Sequence, residues 1–405
     1  MRALVWNLSI PRYVAAMATG RKVPSLMYGA LSALAVREVP DPVLPGPKWA
    51  VLKPRRTGLC GSDLAFLSFK ASPTLSVFAS NPAVLGHEIL ADVVEVGPGA
   101  RGTVKEGDRV VVDPVLTCET RDMAQPCARC SIGCYGTCER HADGRGAILG
   151  YSREHPGGFS ERMVAHASQL FRVPDVVDDD RGVLCEPASV GVHAVMSHRP
   201  KGKESILVIG GGVIAFVTLW ALKELFPECR VALSATEPYQ LAIARSLGAD
   251  VALGEDGQRD LLTAAAKDLG TAELRPMVGR GFLGRGYDRV FDCIGSKDSL
   301  DAALRVVGPG GTVVLVGAAG VVPGLDLTTV WTREVKLEGT VYYGYEQWRD
   351  ERLRTFALTL ELLASTKRPL GALVTHRFSI DEYQEAIRVN LDRRGTSSVK
   401  AVLSP

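Results

Sequence analysis

Apolar residues follow two different rhythms along this chain. Between residues 37 and 115 they come as short valine-rich runs broken by glycine and proline, as in Ala91-Asp92-Val93-Val94-Glu95-Val96-Gly97 and Asp108-Arg109-Val110-Val111-Val112. Runs of this length and composition read as strands, so a compact, mainly antiparallel first domain is expected. From about residue 190 apolar runs alternate with helical stretches. Ile206 to Ile209, Arg230 to Ser234, Val290 to Asp292 and Thr312 to Val316 read as strands; Val213 to Leu225, Tyr239 to Leu247 and Ser299 to Val307 read as helices. Such alternation predicts a parallel sheet with helices on both faces. Past about residue 345 the pattern turns helical and closes on a strand, Val399 to Leu403.

The stretch Val208-Ile209-Gly210-Gly211-Gly212-Val213-Ile214-Ala215 follows a predicted buried strand and opens a predicted helix. In that setting a G-x-G-x-x-A run is a dinucleotide-binding loop. Gly210 makes the tight turn, Gly212 lets backbone approach a pyrophosphate, and Ala215 lets helix lie close on strand. An acidic residue normally ends the next strand and holds the ribose hydroxyls. Counting back from Gly248-Ala249-Asp250 places Ala235 there, with Thr236 and Glu237 after it. NADP asks for a basic neighbour, and Tyr239-Gln240 supplies none, so the reading leans to NAD with Glu237 serving the ribose.

Length and charge narrow the class. A chain of 405 residues is expected to form two domains, and 47 basic against 45 acidic residues leave no footprint for nucleic acid or an anionic membrane. The apolar stretch Ile206 to Leu222 contains three consecutive glycines and reads as strand, turn and helix, not as a membrane span. Arg21-Lys22 followed by Val23 to Val36 imitates a secretion signal, but Met1 to Trp6 already reads as a first strand that cleavage would remove. Five of nine cysteines crowd between Cys118 and Cys138. In a large chain that density favours metal-binding thiolates in a reducing, cytoplasmic setting.

Candidate chemistry begins at Cys60-Gly61-Ser62-Asp63 and Gly86-His87-Glu88, with 27 positions between Cys60 and His87. A thiolate, an imidazole and a carboxylate together hold zinc with a position left open, as catalytic zinc requires. Either cluster alone would read as structural. Their order ahead of a second cysteine cluster and a dinucleotide loop changes that.

Taken in order, these motifs resemble the zinc-containing medium-chain dehydrogenase/reductase (alcohol dehydrogenase) family, in its sorbitol, glucose and threonine dehydrogenase-like branch. The resemblance also rests on Gly157-Gly158-Phe159-Ser160-Glu161, Glu186-Pro187-Ala188-Ser189-Val190, Asp292-Cys293-Ile294-Gly295, Pro309-Gly310-Gly311-Thr312 and Val399-Lys400-Ala401-Val402-Leu403. It implies an α/β fold, a Rossmann doubly wound parallel sheet inserted in a mainly β, GroES-like catalytic domain. The expected boundaries are 1–188 for the catalytic domain with a zinc lobe at 116–140, 189–342 for the Rossmann domain, and 343–405 for a return to the catalytic domain.

The resemblance further implies one catalytic and one structural zinc, and hydride transfer between a nicotinamide cofactor and an alcohol or carbonyl. Cys60 and His87 would bind catalytic zinc, Glu88 would bind it directly, and Glu186 would approach it directly or through water as the third protein ligand, with adjacent Cys185 as competitor. Asp63 would hydrogen-bond the far nitrogen of His87, and Ser62 would take the substrate's hydroxyl proton. The family's next relay, a histidine, is replaced by Ala65, which leaves ribose hydroxyls, water or His193 as the onward route. Val213, Ile214, Cys293 and Gly317 join Gly210, Gly212 and Ala215 along the cofactor. Cys127, Cys130 and Cys138 match three structural ligands. The place of the first is Ala124, so Cys118, ahead of an apparent insertion from Glu119 to Pro126, stands in, with Cys134 as alternative. Phe69, Leu75, Val77 and Phe78 on one side and Tyr342, Tyr343, Tyr345 and Trp348 on the other are candidate substrate walls, suited to a medium-sized apolar alcohol or ketone. Residues from about Ile10 to Leu31 would form a lid or subunit contact in a homodimer or homotetramer. The alternatives are a reductase of conjugated C=C or C=N bonds and a non-catalytic nucleotide-binding protein on the same fold.

Overall fold

A computed structural model describes every residue except 13, 15–26, 30, 31, 256 and 259, so most of the expected lid segment lies outside the described residues. A parallel sheet carries six strands in the order Val251–Leu253, Arg230–Ser234, Ser205–Ile209, Tyr287–Asp292, Val307–Leu315 and Lys336–Gly339. The chain winds outward from Ser205–Ile209 in one direction, then returns to its other side at Tyr287–Asp292. The sheet is therefore doubly wound, and its crevice opens between the carboxyl ends of those two strands, where such sheets bind ligands.

Helix Val213–Leu225 explains the long apolar run. Phe216, Val217, Leu219, Trp220, Ala221 and Leu222 are fully buried, because the helix lies between the parallel sheet and helix Cys185–Ser197. The predicted helices at 239–247 and 299–307 appear one or two residues earlier, as Pro238–Ser246 and Lys297–Val306.

The other main sheet has the order Val374–Ser379, Lys400–Ser404, Trp49–Gly58, Glu88–Val96, Arg109–Val112 and Leu170–Arg172, with Met163–His166 also paired to Trp49–Gly58. All these pairs are antiparallel except Val374–Ser379 on Lys400–Ser404. The end of the chain thus completes the sheet begun near its start. Sequence periodicity misses Val374–Ser379 and the hairpin Tyr345–Trp348/Glu351–Arg354. The hairpin is held by the Arg352 and Arg354 guanidiniums lying 4.8 and 4.7 Å from the Tyr345 and Tyr135 rings, so no apolar stripe is needed to place it.

Where helix Cys185–Ser197 crosses helix Val213–Leu225, Gly191 makes the closest approach. A methyl group there would sit 2.8 Å from the Val217 carbonyl group, a backbone neighbour that cannot step aside. Gly191→Ala is expected to cost about 1–3 kcal/mol through overpacking, read as a lower midpoint in chemical denaturation. An unchanged midpoint would show that the two helices are not locked here.

Candidate active site

Strand Trp49–Gly58 runs through Leu59 to Cys60, where helix Gly61–Leu67 begins. Helix starts leave N–H groups without partners, and the local residues supply them. The Ser62 N–H points to Cys60 Sγ at 3.5 Å, and the Cys60 N–H donates to Asp63 Oδ2 at 3.0 Å. Gly86, at φ +97°, delivers His87 to the same spot; a side chain there would strike the Phe159 backbone at 2.8 Å. Donor atoms of Cys60, His87 and Glu88 all lie within 4.8 Å of one another.

Three details depart from expectation. Asp63 Oδ1 is 3.7 Å from His87 Nδ1, too far for a hydrogen bond, and accepts instead from the Tyr151 hydroxyl at 2.7 Å. Buried His87 Nδ1 is left without a partner. Glu88 faces the donor group, yet both its oxygens are held by Lys400 Nζ at 2.6 and 2.7 Å. Glu186, in the first turn of helix Cys185–Ser197, lies outside the tight donor group, and its Oε1 accepts from the Tyr343 hydroxyl at 2.8 Å.

Electrostatics still tie Glu186 to the group. Burial lifts its carboxyl to about 7 against the pull of His87. Burial would lower the His87 imidazole, but the charges of Asp63, Cys60 and Glu186 raise it well above its usual value. Cys185 behaves differently: it is fully buried among Val183, Leu184 and Ala188, and burial pushes its thiol up. A cysteine sulfur, an imidazole and a carboxylate whose donor atoms converge within 4.8 Å form a donor set that a zinc-type cation fits.

The second cysteine cluster is closed. Sγ atoms of Cys118, Cys127, Cys130 and Cys138 lie within 4.8 Å of one another. Cys118 therefore completes the set across the insertion, and Cys134 stays outside it. Backbone N–H groups of Cys127 and Cys130 point at Cys118 Sγ and Cys127 Sγ at 3.3 and 3.4 Å. Burial works against the Cys127 thiolate, but backbone donors at Cys130 and Glu139 prevail and lower it to about 6. Four convergent sulfurs with no open side match a structural zinc site.

The glycine loop lies at the crevice of the parallel sheet. Gly210 has φ +137°, a conformation side chains avoid, and a Cβ on it would lie 3.3 Å from Ala215 and 3.5 Å from Cys293. Gly212 immediately precedes helix Val213–Leu225, with Val213 and Ile214 in its first turn. Gly317 abuts the Ile294-Gly295 backbone. The Cys293 thiol turns inward, 3.7 Å from Thr218 Oγ1, so its side chain faces the core. Glu237 begins helix Pro238–Ser246 and pairs with Arg394 at 3.5 Å.

Several residues near these groups escape sequence reasoning. Tyr151, whose hydroxyl also lies 3.4 Å from Ser62 Oγ, carries no motif of its own. Lys400 stands in the apolar strand Lys400–Ser404, and its buried partner Glu88 is 312 positions away. Among the candidate walls, Tyr343 is buried on Glu186, and Tyr342, at φ +51°, feels the charges of Glu186 and Cys60. Tyr345 lies against Tyr135 in the cysteine lobe. His193 is engaged by Glu346 at 2.6 Å.

Comparison with known proteins agrees with this arrangement. Residues 46–175 match the alcohol dehydrogenase GroES-like domain, and residues 227–357 match the zinc-binding dehydrogenase domain. The chain is 30% identical over 361 residues to L-idonate 5-dehydrogenase of Vitis vinifera, covering 89% of this chain and 88% of that protein. It is 28% identical over 361 residues to sorbitol dehydrogenase of Arabidopsis thaliana, covering 89% of each. The crystal structure of 2R,3R-butanediol dehydrogenase from Bacillus subtilis shares the fold, with a TM-score of 0.71 at 24% identity over 92% of this chain and 96% of that one. The chain belongs to the zinc-containing medium-chain alcohol dehydrogenase family, in its sorbitol dehydrogenase-like branch, and is a zinc-dependent oxidoreductase of alcohols and carbonyls that works with a nicotinamide cofactor.

Proposed function

We propose that this chain oxidises a secondary alcohol reversibly, at Cys60, His87 and Glu186, with the dinucleotide on the Gly210 to Ala215 loop. The observation that carries the reading is the convergence of Cys60 and His87 in one buried donor group that also feels the Glu186 charge. Bound zinc would supply Lewis acidity to the substrate oxygen, and the nicotinamide would take or give the hydride. The polyol names of the relatives support a carbinol flanked by further oxygen. Tyr342, close enough to feel the charges of Glu186 and Cys60, supports an apolar portion beside it. We divide the chain as 1–188, 189–342 and 343–405, which the return of Lys400–Ser404 to the first sheet supports.

Ser62, Tyr151 and Asp63 handle the hydroxyl proton. Tyr151 has one proton and gives it to Asp63 at 2.7 Å, so at Ser62 it is an acceptor. That turns the Ser62 proton inward and leaves an oxygen lone pair free to receive the substrate's proton. Ser62→Ala is expected to lower kcat about 100-fold or more, and Tyr151→Phe about tenfold, with zinc content unchanged. Initial rates followed by nicotinamide absorbance, beside metal analysis, check this; a Tyr151→Phe enzyme at full kcat would remove Tyr151 from the path.

Two zinc ions per chain are expected, one in each cluster. Cys130→Ala should remove the lobe's ion, and Cys60→Ala the other. Glu186→Gln should weaken retention of the second ion on dialysis, while Cys185→Ala should leave it in place. Metal analysis of the dialysed variants decides between Glu186 and Cys185. Zinc lost from Cys185→Ala but kept by Glu186→Gln would reverse the assignment.

The edge strand Lys336–Gly339 is exposed along its length and, among the described residues, pairs with Val307–Leu315 alone, and Trp331 (74% exposed), Leu327 and Val341 lie near it in sequence. These support a homodimer formed edge to edge, and the reduced cysteines support a cytoplasmic setting. Light scattering should give a multiple of the chain mass for the wild type and a smaller assembly for Trp331→Glu; a wild-type monomer would end the idea. Among the described residues, no helix is long and apolar enough to cross a membrane.

A further inference from the structure

The strand Arg230–Ser234 ends without a carboxylate. Ala235 stands where one would receive the two ribose hydroxyls, and it brings only a methyl group. Glu237 comes two residues later, but its carboxylate already faces Arg394 Nε at 3.5 Å. Gln240 closes this corner from the other side. Its Oε1 accepts from the Glu237 N–H at 3.2 Å, and its side chain fills the space beside Gly211.

Two arginines reach this corner from the far end of the chain. Helix Tyr383–Leu391 leads through Asp392 into the short turn Arg393–Thr396. The Tyr239 hydroxyl donates to the Arg393 carbonyl at 3.2 Å, which fastens that turn to the start of helix Pro238–Ser246 from 154 positions away. The Arg393 guanidinium then lies over the glycine loop: a Cβ on Gly212 would be 3.2 Å from its Nη1. Arg393 Nε is held by the Asn390 carbonyl at 3.3 Å. At this corner the Arg394 guanidinium faces the Glu237 carboxylate, and the Arg393 guanidinium lies next to it over the glycine loop.

We propose that Arg394, supported by Arg393, receives the 2′-phosphate of the adenine ribose, so that this chain prefers NADP(H) to NAD(H). The inference rests on the reading that the Gly210 to Ala215 loop carries the dinucleotide, and it reverses the lean to NAD taken from the residues beside Ala235. In this structure the Glu237 carboxylate is the acid that faces Arg394, at 3.5 Å. A phosphate dianion replaces that single contact with a planar, charge-assisted pair. An unphosphorylated ribose gains little in exchange, because Ala235 offers its hydroxyls no acceptor. Arg393 sits over the loop, where the pyrophosphate shared by both coenzymes would lie, so it strengthens either one. Arg394 is the residue that discriminates.

Direct binding separates these statements. Purified protein is titrated with NADPH and with NADH, and nicotinamide fluorescence reads the two dissociation constants. NADPH is expected to bind at least about tenfold more tightly. Arg394→Ala alters a side chain that is 74% exposed, so folding is not at stake. It should weaken NADPH about tenfold and leave NADH within about twofold, which removes the preference. Arg394→Lys should restore part of it. Equal or tighter binding of NADH to the wild type overturns the inference, as does an Arg394→Ala protein that loses affinity for both coenzymes equally or for neither. If neither coenzyme binds at all, the dinucleotide reading of the loop fails along with it.

Discussion

The ion pair between Lys400 and Glu88 is the constraint on which the catalytic half is built. Its side chains are 2% and 1% exposed and come from positions 312 apart. A charge buried this deeply is tolerable only when its partner is held in register, and removing one member would strand the other. Satisfying it requires strand Lys400–Ser404 to lie beside Trp49–Gly58, with Lys400 also reaching the Leu59 carbonyl at 3.3 Å. It also requires Gly58, since a Cβ there would lie 1.9 Å from Glu88 Oε2. Closing the sheet and setting the wall behind Cys60 and His87 are thus one event. Burial pulls the Lys400 ammonium down, but Glu88, Cys60 and Glu186 more than compensate and raise it above its ordinary value.

The cysteine lobe connects to the same centre through backbone and rings. Gly136 N–H donates to the Tyr343 carbonyl at 3.2 Å, and a side chain at Gly136 would strike the Val341 carbonyl. Tyr343 in turn holds Glu186. Arg354 stacks between Tyr135 and Phe171 and pairs with buried Asp113, whose carboxyl burial lifts despite that pairing. The lobe therefore fixes the tyrosine that holds Glu186.

Much of this was legible in sequence because it is local. The inner strand Ser205–Ile209 is an almost unbroken apolar run, helix Val213–Leu225 is apolar as far as Lys223 except at Thr218, and Cys60, Ser62 and Asp63 are held by contacts within three residues. Substituting Cys118 for Ala124 was also readable, because the lobe is a short segment that closes on itself. What stayed hidden depends on pairs far apart in the chain. Tyr151 meets Asp63 across 88 positions, Tyr343 meets Glu186 across 157, and the arginines reach the ribose corner from the last turn before the final strand. Local pattern carries no trace of such encounters, and the hairpin Tyr345–Trp348/Glu351–Arg354 was missed because stacked guanidiniums hold it where periodicity shows nothing.

The close crossing at Gly191 has a mechanical side. Helix Cys185–Ser197 carries Glu186 at its start and is pressed, backbone to backbone, onto the helix that begins at the glycine loop. Cys60 and His87 belong instead to the opposite sheet. One continuous core, from Leu90 and Val111 through Val192 to Val208 and Phe216, joins the two halves. Helix Cys185–Ser197 packs on strands Glu88–Val96 and Arg109–Val112 as well as on helix Val213–Leu225, so any sliding of one half past the other would have to shear this crossing. The crossing works as a hinge pin shared by both halves, with Glu186 at one end of it and the glycine loop at the other.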